Sequence, residues 1–249
     1  MKSVLIRLLN NRNYISGEEL AQSLDLSRTA VWKQVNKLKE SGFVIESVHK
    51  TGYRLTGVPD EKIVPELVEY YYGGQLPLEL IEIEQVDSTN TFAKKTLLDK
   101  NCLQLVIAEE QTCGKGRLSR VWESSKGKDL TFSIVCPSER NINDFYKYTV
   151  IAAVSVYYAI VPLIKENNAD MKIKWPNDIY INQKKVCGIL SEMITEEMKI
   201  KNMIVGIGVN VNSNPYMEKA VSIKQISNSA ENRNKLLAEI IRNFNKYME

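Results

Sequence analysis

The chain has few of the residues on which proteins most often build metal or redox chemistry. Its 249 residues include one histidine, His49, and four cysteines, Cys102, Cys113, Cys136 and Cys187, which form no Cys-x-x-Cys pair. The sequence therefore predicts neither a zinc ribbon nor a dithiol redox site. His49 is the one histidine that could act as a general base. Dispersed thiols are typical of proteins in a reducing compartment. Because histidine and paired cysteines are scarce, we expect any catalysis to depend on the positioning of reactants and on fixed charges.

Long hydrophobic runs are also scarce. The longest, residues 148–164, contains Ser155, Pro162 and three tyrosines, and it is shorter than the roughly 20 residues that a membrane helix needs. We predict a buried helix there. Residues 1–13 lack a sustained apolar core and a small-residue cleavage site, so we expect no signal peptide, no membrane partner and a cytoplasmic location.

Charge is unevenly distributed along the chain. The formal net charge is +3, and residues 1–57 hold nine Lys or Arg against five Asp or Glu. That segment carries an excess of +4, which leaves −1 for the remainder. A nucleic-acid-binding surface is therefore expected in the N-terminal segment or not at all.

Three helical segments open the chain. Residues 2–10 have apolar positions at helical spacing, Ser16 and Glu19 have the spacing of a capping box that begins a second helix, and Ser27 caps a third over residues 28–41. The turn of three or four residues between the second and third helices is typical of a helix-turn-helix.

The third helix has a polar and basic face opposite an apolar stripe. Two short strands, residues 43–48 and 53–56, follow as a predicted wing. A structural subdomain whose charges are merely solvated would have the same pattern, so both interpretations stay open at this point. The candidate DNA contacts are Ser27, Arg28, Thr29, Lys33, Gln34, Lys37 and Lys50.

A cationic segment that contains glycine, residues 111–122, lies between two apolar runs expected to be strands. Gly114 and Gly116 allow the backbone to approach a ligand closely, and three cations lie within the same few residues. A solvated surface loop could have this composition, but a flexible cationic loop between core strands is suited to an anion. The cations are Lys115, Arg117 and Arg120.

The segments at residues 87–90, 114–122, 174–178 and 185–190 together resemble motifs of biotin protein ligases. Residues 114–122, Gly-Lys-Gly-Arg-Leu-Ser-Arg-Val-Trp, are similar to the family's biotin-binding loop, Gly-Arg-Gly-Arg-x-Gly-Arg-x-Trp. Asp-Ser-Thr-Asn at 87–90, Lys-Trp-Pro-Asn-Asp at 174–178 and Lys-Val-Cys-Gly-Ile-Leu at 185–190 agree in chain order. With the N-terminal segment, the resemblance covers nearly the whole chain and is to bifunctional ligases that also repress the biotin operon.

Two residues of the loop depart from the family pattern. Lys115 replaces an arginine, which keeps the charge but loses a fork of donors. Ser119 replaces a glycine, and this puts the local turn geometry of the loop in question.

The resemblance implies an α+β protein of two domains. We expect a winged helix-turn-helix that binds DNA over residues 1–57 and a linker over residues 58–64. A biotin/lipoate-ligase-like catalytic domain, with a mixed sheet flanked by helices, is expected over residues 65–249. Family members usually continue into a small C-terminal β-barrel that is missing from this sequence, and natural shortness and truncation both remain open.

The resemblance also implies an ATP-dependent, AMP-forming biotin–[biotin carboxyl-carrier protein] ligase. Such an enzyme forms biotinyl-5′-AMP and transfers biotin to an acceptor lysine, and biotinyl-5′-AMP acts as corepressor of biotin genes. The implied ligands are biotin, ATP and Mg²⁺, and the implied partners are the carrier protein, operator DNA and a second copy of the chain when adenylate is bound. The alternatives are a non-catalytic biotin-responsive regulator and a lipoate-type ligase.

Site roles follow from the same motifs. Lys185 and Arg117 are the implied catalytic residues, with Lys185 bridging the biotin carboxylate and the α-phosphate. The implied biotin-binding residues are Ser88, Thr89, Asn90, Gln111, Gly114, Lys115, Gly116, Arg117, Lys185, Gly188 and Gly206. The implied nucleotide-binding residues are Lys115, Arg117, Arg120, Trp122, Lys185 and Asn210, with Trp122 stacked on adenine. Asp178 is the candidate Mg²⁺ ligand.

Plainer interpretations of three of these motifs remain open. Ser88 or Thr89 could simply cap a helix, and Asn177 with Asp178 could form a structural turn. Lys185 would then be a solubilising charge at the tip of a hairpin around residues 182–185.

Overall fold

The computed structural model describes residues 2–10, 13–59, 61–96, 102–137, 145–196 and 199–248. Its backbone divides into two compact units, Met1–Gln75 and Leu76–Glu249. The predicted order, a winged helix-turn-helix followed by a mixed sheet flanked by helices, is confirmed.

The first unit is a winged helix-turn-helix. Its elements are α1 (Lys2–Leu9), α2 (Gly17–Leu24), α3 (Arg28–Glu40), β1 (Val44–Val48), β2 (Gly52–Gly57) and α4 (Pro65–Tyr72). The capping box at α2 forms as predicted, since Ser16 Oγ accepts from Glu19 N at 3.1 Å and Ser16 N donates to Glu19 Oε2 at 2.9 Å. Ser27 Oγ likewise accepts from Ala30 N at 3.2 Å and begins α3.

The division between the units falls later than the sequence suggested. Val64 and Leu67, at the start of α4, are buried in the same hydrophobic cluster as Leu5 of α1. Lys2 Nζ also donates to Glu66 Oε1 at 2.5 Å. The predicted linker, residues 58–64, and the helix assigned to the catalytic domain therefore lie in the first unit. Composition could not reveal this, because an amphipathic helix packs equally well on either neighbour.

The second unit is built on a seven-stranded sheet in the order β3-β4-β5-β9-β8-β7-β6. Only β3 and β4 are parallel; the other neighbouring pairs are antiparallel. The strands are β3 (Glu79–Val86), β4 (Gln104–Gln111), β5 (Leu130–Pro137), β6 (Met171–Lys174), β7 (Asp178–Ile181), β8 (Lys184–Glu196) and β9 (Lys199–Val209), and the helices are α5 (Thr89–Thr96), α6 (Phe145–Ile164), α7 (Ile223–Ser227) and α8 (Arg233–Met248).

Helix α6 corresponds to the longest apolar run of the sequence. By length and composition, its residues are apolar enough to cross a membrane. The helix packs on α8 and on β8, and most of its apolar side chains, such as Val156 and Ile160, are buried. This is the packing of a core helix, as predicted.

The turn between β7 and β8 corrects one expectation about Lys185. Asn182 and Gln183 have positive φ values of 48° and 65° and form the tip of the hairpin. Lys185 lies inside β8, opposite Tyr180. It is therefore held by the sheet and does not lie at an exposed tip.

Candidate active site

The second unit contains two cavities, and the glycine-containing loop lines both of them. The inner cavity measures about 50 Å³ and the outer one about 650 Å³. The predicted site residues that line the inner cavity are Ser88, Thr89, Asn90, Gln111, Lys115, Gly116, Arg117, Trp122, Asp178, Lys185, Gly188 and Gly206. Segments far apart in the sequence thus meet at one place.

Lys185 is fixed at the inner cavity through both its backbone and its side chain. Its N–H donates to the Lys219 carbonyl at 2.8 Å, and its carbonyl accepts from Val221 N at 3.0 Å. Lys185 Nζ lies 2.8 Å from Asp178 Oδ1 and 5.6 Å from the centroid of a Trp122 ring. The side chain is 31% exposed, so a ligand entering the cavity can reach the ammonium group.

The cationic loop is closed on itself. Trp122 N donates to the Gly114 carbonyl at 2.9 Å, and Gly116 N donates to the Arg120 carbonyl at 2.7 Å. A Cβ at position 114 would lie 2.3 Å from the Trp122 carbonyl oxygen, so only glycine fits there. The residue with positive φ within this turn is Leu118, at 55°.

Two side chains tie this loop to its neighbours. Arg117 Nη1 donates to Asn177 Oδ1 at 2.8 Å, and Lys115 Nζ donates to Thr91 Oγ1 at 3.0 Å. With Lys185, they place three cations at the inner cavity, whereas Asp178 is the acidic residue lining it. The excess of positive charge suits a ligand with more than one negative charge.

The Trp122 indole lies against two glycines that face each other on β8 and β9. Gly188 pairs with Gly208, and a Cβ at position 208 would lie 2.3 Å from Trp122 Cε2. At position 188, a Cβ would lie 2.9 Å from Trp122 Cζ3. Trp122 Nε1 is buried and has no hydrogen-bond partner within the described ranges. The indole thus forms a wall of the inner cavity, and Gly208, which was not among the predicted site residues, leaves the space that the indole occupies.

Asn90 is held by a polar network rather than left free in the cavity. Its Oδ1 accepts from Ser133 Oγ at 2.6 Å, and its Nδ2 donates to Glu192 Oε2 at 2.7 Å and to the Leu190 carbonyl at 3.2 Å. A Cβ at Gly206 would lie 2.3 Å from Asn90 Oδ1. Asn90 therefore serves to join α5 to β5 and β8.

Thr89 and Gln111 form the polar end of the same cavity. Thr89 N donates to Gln111 Oε1 at 2.8 Å. Thr89 Oγ1 lies 3.1 Å from Gln111 Oε1 and 2.7 Å from Ser133 Oγ, which donates its one hydrogen to Asn90. Ser88 is buried beside them. Ser133 was not predicted, because an isolated serine on a strand gives no signal of its role.

Three predicted site residues lie outside the inner cavity. Gly114 and Arg120 line the outer cavity. Asn210 lines neither cavity; it is buried, and its Nδ2 donates to the Val221 carbonyl at 3.2 Å. In this conformation its side chain therefore stabilises the segment that also pairs with Lys185.

Buried thiols near the site do not supply a nucleophile. Burial raises the pKa of Cys136 to about 12 and raises that of Cys187 further, although Lys185 partly opposes the second shift. Both thiols are therefore protonated at neutral pH. Among the described residues, no three His, Cys, Asp or Glu side chains are grouped as metal ligands.

These features define a cavity with a polar end, a tryptophan wall and a cationic rim, and comparisons with known proteins identify its class. The sequence pattern described as the biotin/lipoate A/B protein ligase family matches residues 82–210, and one described as an HTH domain matches residues 1–54. The chain belongs to the biotin/lipoate A/B protein ligase family.

Particular relatives narrow the class. The chain is similar to the bifunctional ligase/repressor BirA of Bacillus subtilis (strain 168), with 34% identity over 258 residues, covering 99% of this chain and 78% of that protein. It is 26% identical over 250 residues to BirA of Escherichia coli (strain K12), covering 98% and 75%. A solved biotin protein ligase from Aquifex aeolicus in complex with biotin and ATP is 28% identical, with a TM-score of 0.58, over 68% of this chain and 70% of that one. The family predicted from the motif order is confirmed.

Proposed function

We propose that this protein is a biotin–protein ligase that also represses transcription, and that the inner cavity is its active site. The observation that carries the proposal is Lys185, held inside β8 beside Asp178, facing a loop that supplies Lys115 and Arg117. Relatives named as biotin ligases favour biotin over lipoate as substrate. A regulator that only sensed biotin would not need three cations at one cavity.

The first step joins two anions. An oxygen of the biotin carboxylate attacks the α-phosphorus of ATP, the new O–P bond forms biotinyl-5′-AMP, and pyrophosphate leaves with the electrons of the broken P–O bond. Because the two reactants repel each other, fixed cations that contact both lower the barrier. We assign this role to Lys185, assisted by Lys115 and Arg117. In the second step, the acceptor lysine amine attacks the acyl carbon, AMP leaves and the amine loses a proton.

The neutral part of biotin requires matched donors and acceptors when buried. We propose that Ser88, Thr89 and Gln111 receive the ureido ring at the polar end of the cavity. Trp122 would then cover the apolar ring and chain, and this differs from the adenine stacking suggested by the motif. Arg120, in the outer cavity, would contact the phosphates of ATP.

The donor set offers little to a resident magnesium ion. Asp178 is already paired with Lys185, and Asn177 Nδ2 donates to Asp178 Oδ1 at 3.1 Å. Among the described residues that line the inner cavity, Asp178 is the one carboxylate. These residues do not form a dedicated Mg²⁺ site, and we assign the ion no step in the reaction.

An adenylation assay tests the ligase activity. The full chain is incubated with ATP labelled at the α-phosphate, Mg²⁺ and either biotin or lipoate, and the labelled acyl-adenylate is separated from ATP. We expect product with biotin only. An adenylate formed with lipoate alone would identify a lipoate-type ligase, and the absence of both products would identify a non-catalytic regulator.

We propose that the first unit binds operator DNA through α3 and the wing. The candidate contacts are those named from the sequence, Ser27, Arg28, Thr29, Lys33, Gln34, Lys37 and Lys50, all on or beside α3 or the wing turn. One such unit can make only a few phosphate contacts, so its affinity alone would be low. Two copies related by two-fold symmetry would read a palindromic site more tightly.

We expect biotinyl-5′-AMP to promote dimerisation and, through the dimer, to raise the affinity for DNA. We predict that the adenylate, more than biotin alone, shifts the protein toward a dimer and tightens binding to a palindromic duplex by at least about fivefold, a typical coupling between two sites. Sedimentation and gel-shift titrations with and without adenylate measure the two effects. A dimer and a DNA affinity that are both independent of ligand would contradict the switch and leave the ligase unaffected.

A further inference from the structure

Trp32 lies on α3 with its side chain in solvent. It is 55% exposed, whereas Val31, Val35 and Leu38, which form the inward stripe of α3, are buried in the hydrophobic cluster of the first unit. A single exposed apolar residue is common and by itself needs no explanation. Its position on the helix is what distinguishes it.

The neighbours of Trp32 on the helix surface are polar or cationic. Arg28 and Thr29 precede it by four and three residues, and both are exposed. Residues at these spacings share one face of a helix. The indole is therefore the large apolar group on the side of α3 that we propose faces the major groove of DNA.

The charges on this face are largely available to a polyanion. Arg28 pairs with Glu18 on α2, and both side chains are well exposed. Within the ranges that the structure describes, neither Lys33 nor Lys37 has an acidic partner within salt-bridge distance. Such lysines suit phosphates, which hold the helix against DNA but carry no sequence information.

We propose that Trp32 reads thymine in the major groove through contact of its indole with the C5-methyl group. This rests on the DNA-binding half of the proposed function. The major-groove edge of thymine alone presents a methyl group, and apolar side chains recognise it. The N-terminal residues of a recognition helix contact base edges, and Trp32 lies in the second turn of α3. Trp32 would thus add sequence selectivity to the affinity supplied by the lysines.

Replacement of thymine by uracil tests this contact, because it removes only the methyl group. A palindromic duplex is first selected in vitro from a random library by the full chain with biotinyl-5′-AMP, and each thymine is then replaced in turn. We expect one position in each half-site to lose about fourfold in affinity, as removal of one buried methyl group would cause. The loss should disappear in Trp32→Ala and persist at least in part in Trp32→Phe.

Two variants separate this role from others. Lys33→Ala should weaken binding to every duplex equally and lower the salt dependence by about 0.9 for each subunit, or about 1.8 for the dimer, because each subunit loses one phosphate contact. Trp32→Ala should leave the salt dependence unchanged. Trp175→Ala, which removes an exposed tryptophan of the second unit, should alter neither property. Adenylate formation by Trp32→Ala should equal that of the parent.

The experiment distinguishes failure of the thymine contact from failure of DNA binding itself. If the chain binds the duplex but every uracil substitution has the same effect in the parent and in Trp32→Ala, the thymine contact is overturned and DNA binding stands. If no duplex is selected and no DNA is bound, the DNA-binding half of the function fails, and the role of Trp32 fails with it.

Discussion

Replacing Lys185 with alanine is expected to slow formation of biotinyl-5′-AMP by about 10²- to 10³-fold, the usual cost of removing one group that stabilises charge in a transition state. The ammonium group lies at the inner cavity, 2.8 Å from Asp178, where the carboxylate and the α-phosphate would meet. Its attraction grows as charge develops, so the rate should suffer more than biotin affinity. Single-turnover kinetics and a separate biotin titration measure the two quantities.

Two further variants make this test specific. Lys184→Ala removes the neighbouring lysine, which is exposed, and should leave the rate unchanged. Lys185→Ala alone leaves the Asp178 carboxylate without its cation, which would repel biotin. Combining it with Asp178→Asn should recover biotin affinity but not the rate. Equal single-turnover rates for Lys185→Ala and the parent would remove Lys185 from the mechanism.

Local chemistry made much of the fold predictable. Ser16 with Glu19, and Ser27, predicted where two helices begin, because a cap depends only on residues three apart. The apolar run at residues 148–164 likewise predicted the buried helix that became α6. The predicted position of Lys185 at the tip of the hairpin was wrong, because the turn is two residues shorter than expected and β8 already begins at Lys184.

The site was predictable only where its residues form contiguous motifs. The glycine-containing loop and residues 87–90 carry their own pattern. Ser133 and Glu192 do not; their roles arise because β5 and β8 bring them to Asn90. The role of Asp129 is likewise invisible in the sequence. Its carboxylate accepts hydrogen bonds from Ser125 N and Val211 N, both at 2.9 Å, and so holds the segment after Trp122 in place. Burial raises the pKa of Asp129, whereas these hydrogen bonds lower it.

Gly208 provides the second large expected effect. A Cβ there would lie 2.3 Å from Trp122 Cε2 and 2.5 Å from Nε1, so the indole must leave its place in Gly208→Ala. Overpacking of this kind costs about 1–3 kcal/mol, which corresponds to about 5- to 150-fold in affinity if Trp122 forms the wall that biotin contacts. We expect the KM for biotin in adenylate formation to rise by such a factor, with a smaller change in the KM for ATP.

A double-mutant cycle decides whether displacement of the Trp122 indole causes the expected rise in the KM for biotin. In a Trp122→Ala background, the clash is absent, so adding Gly208→Ala should change the KM for biotin by less than about twofold. Gly74→Ala is the matched control, because nothing lies within 4 Å of its added Cβ, and it should have no effect. A cost that persists without Trp122 would place the requirement for glycine in β9 itself. Since Gly188 faces Gly208 across the β8–β9 pair, Gly188→Ala should show the same dependence on Trp122, and its closeness to Lys185 should add a loss in rate.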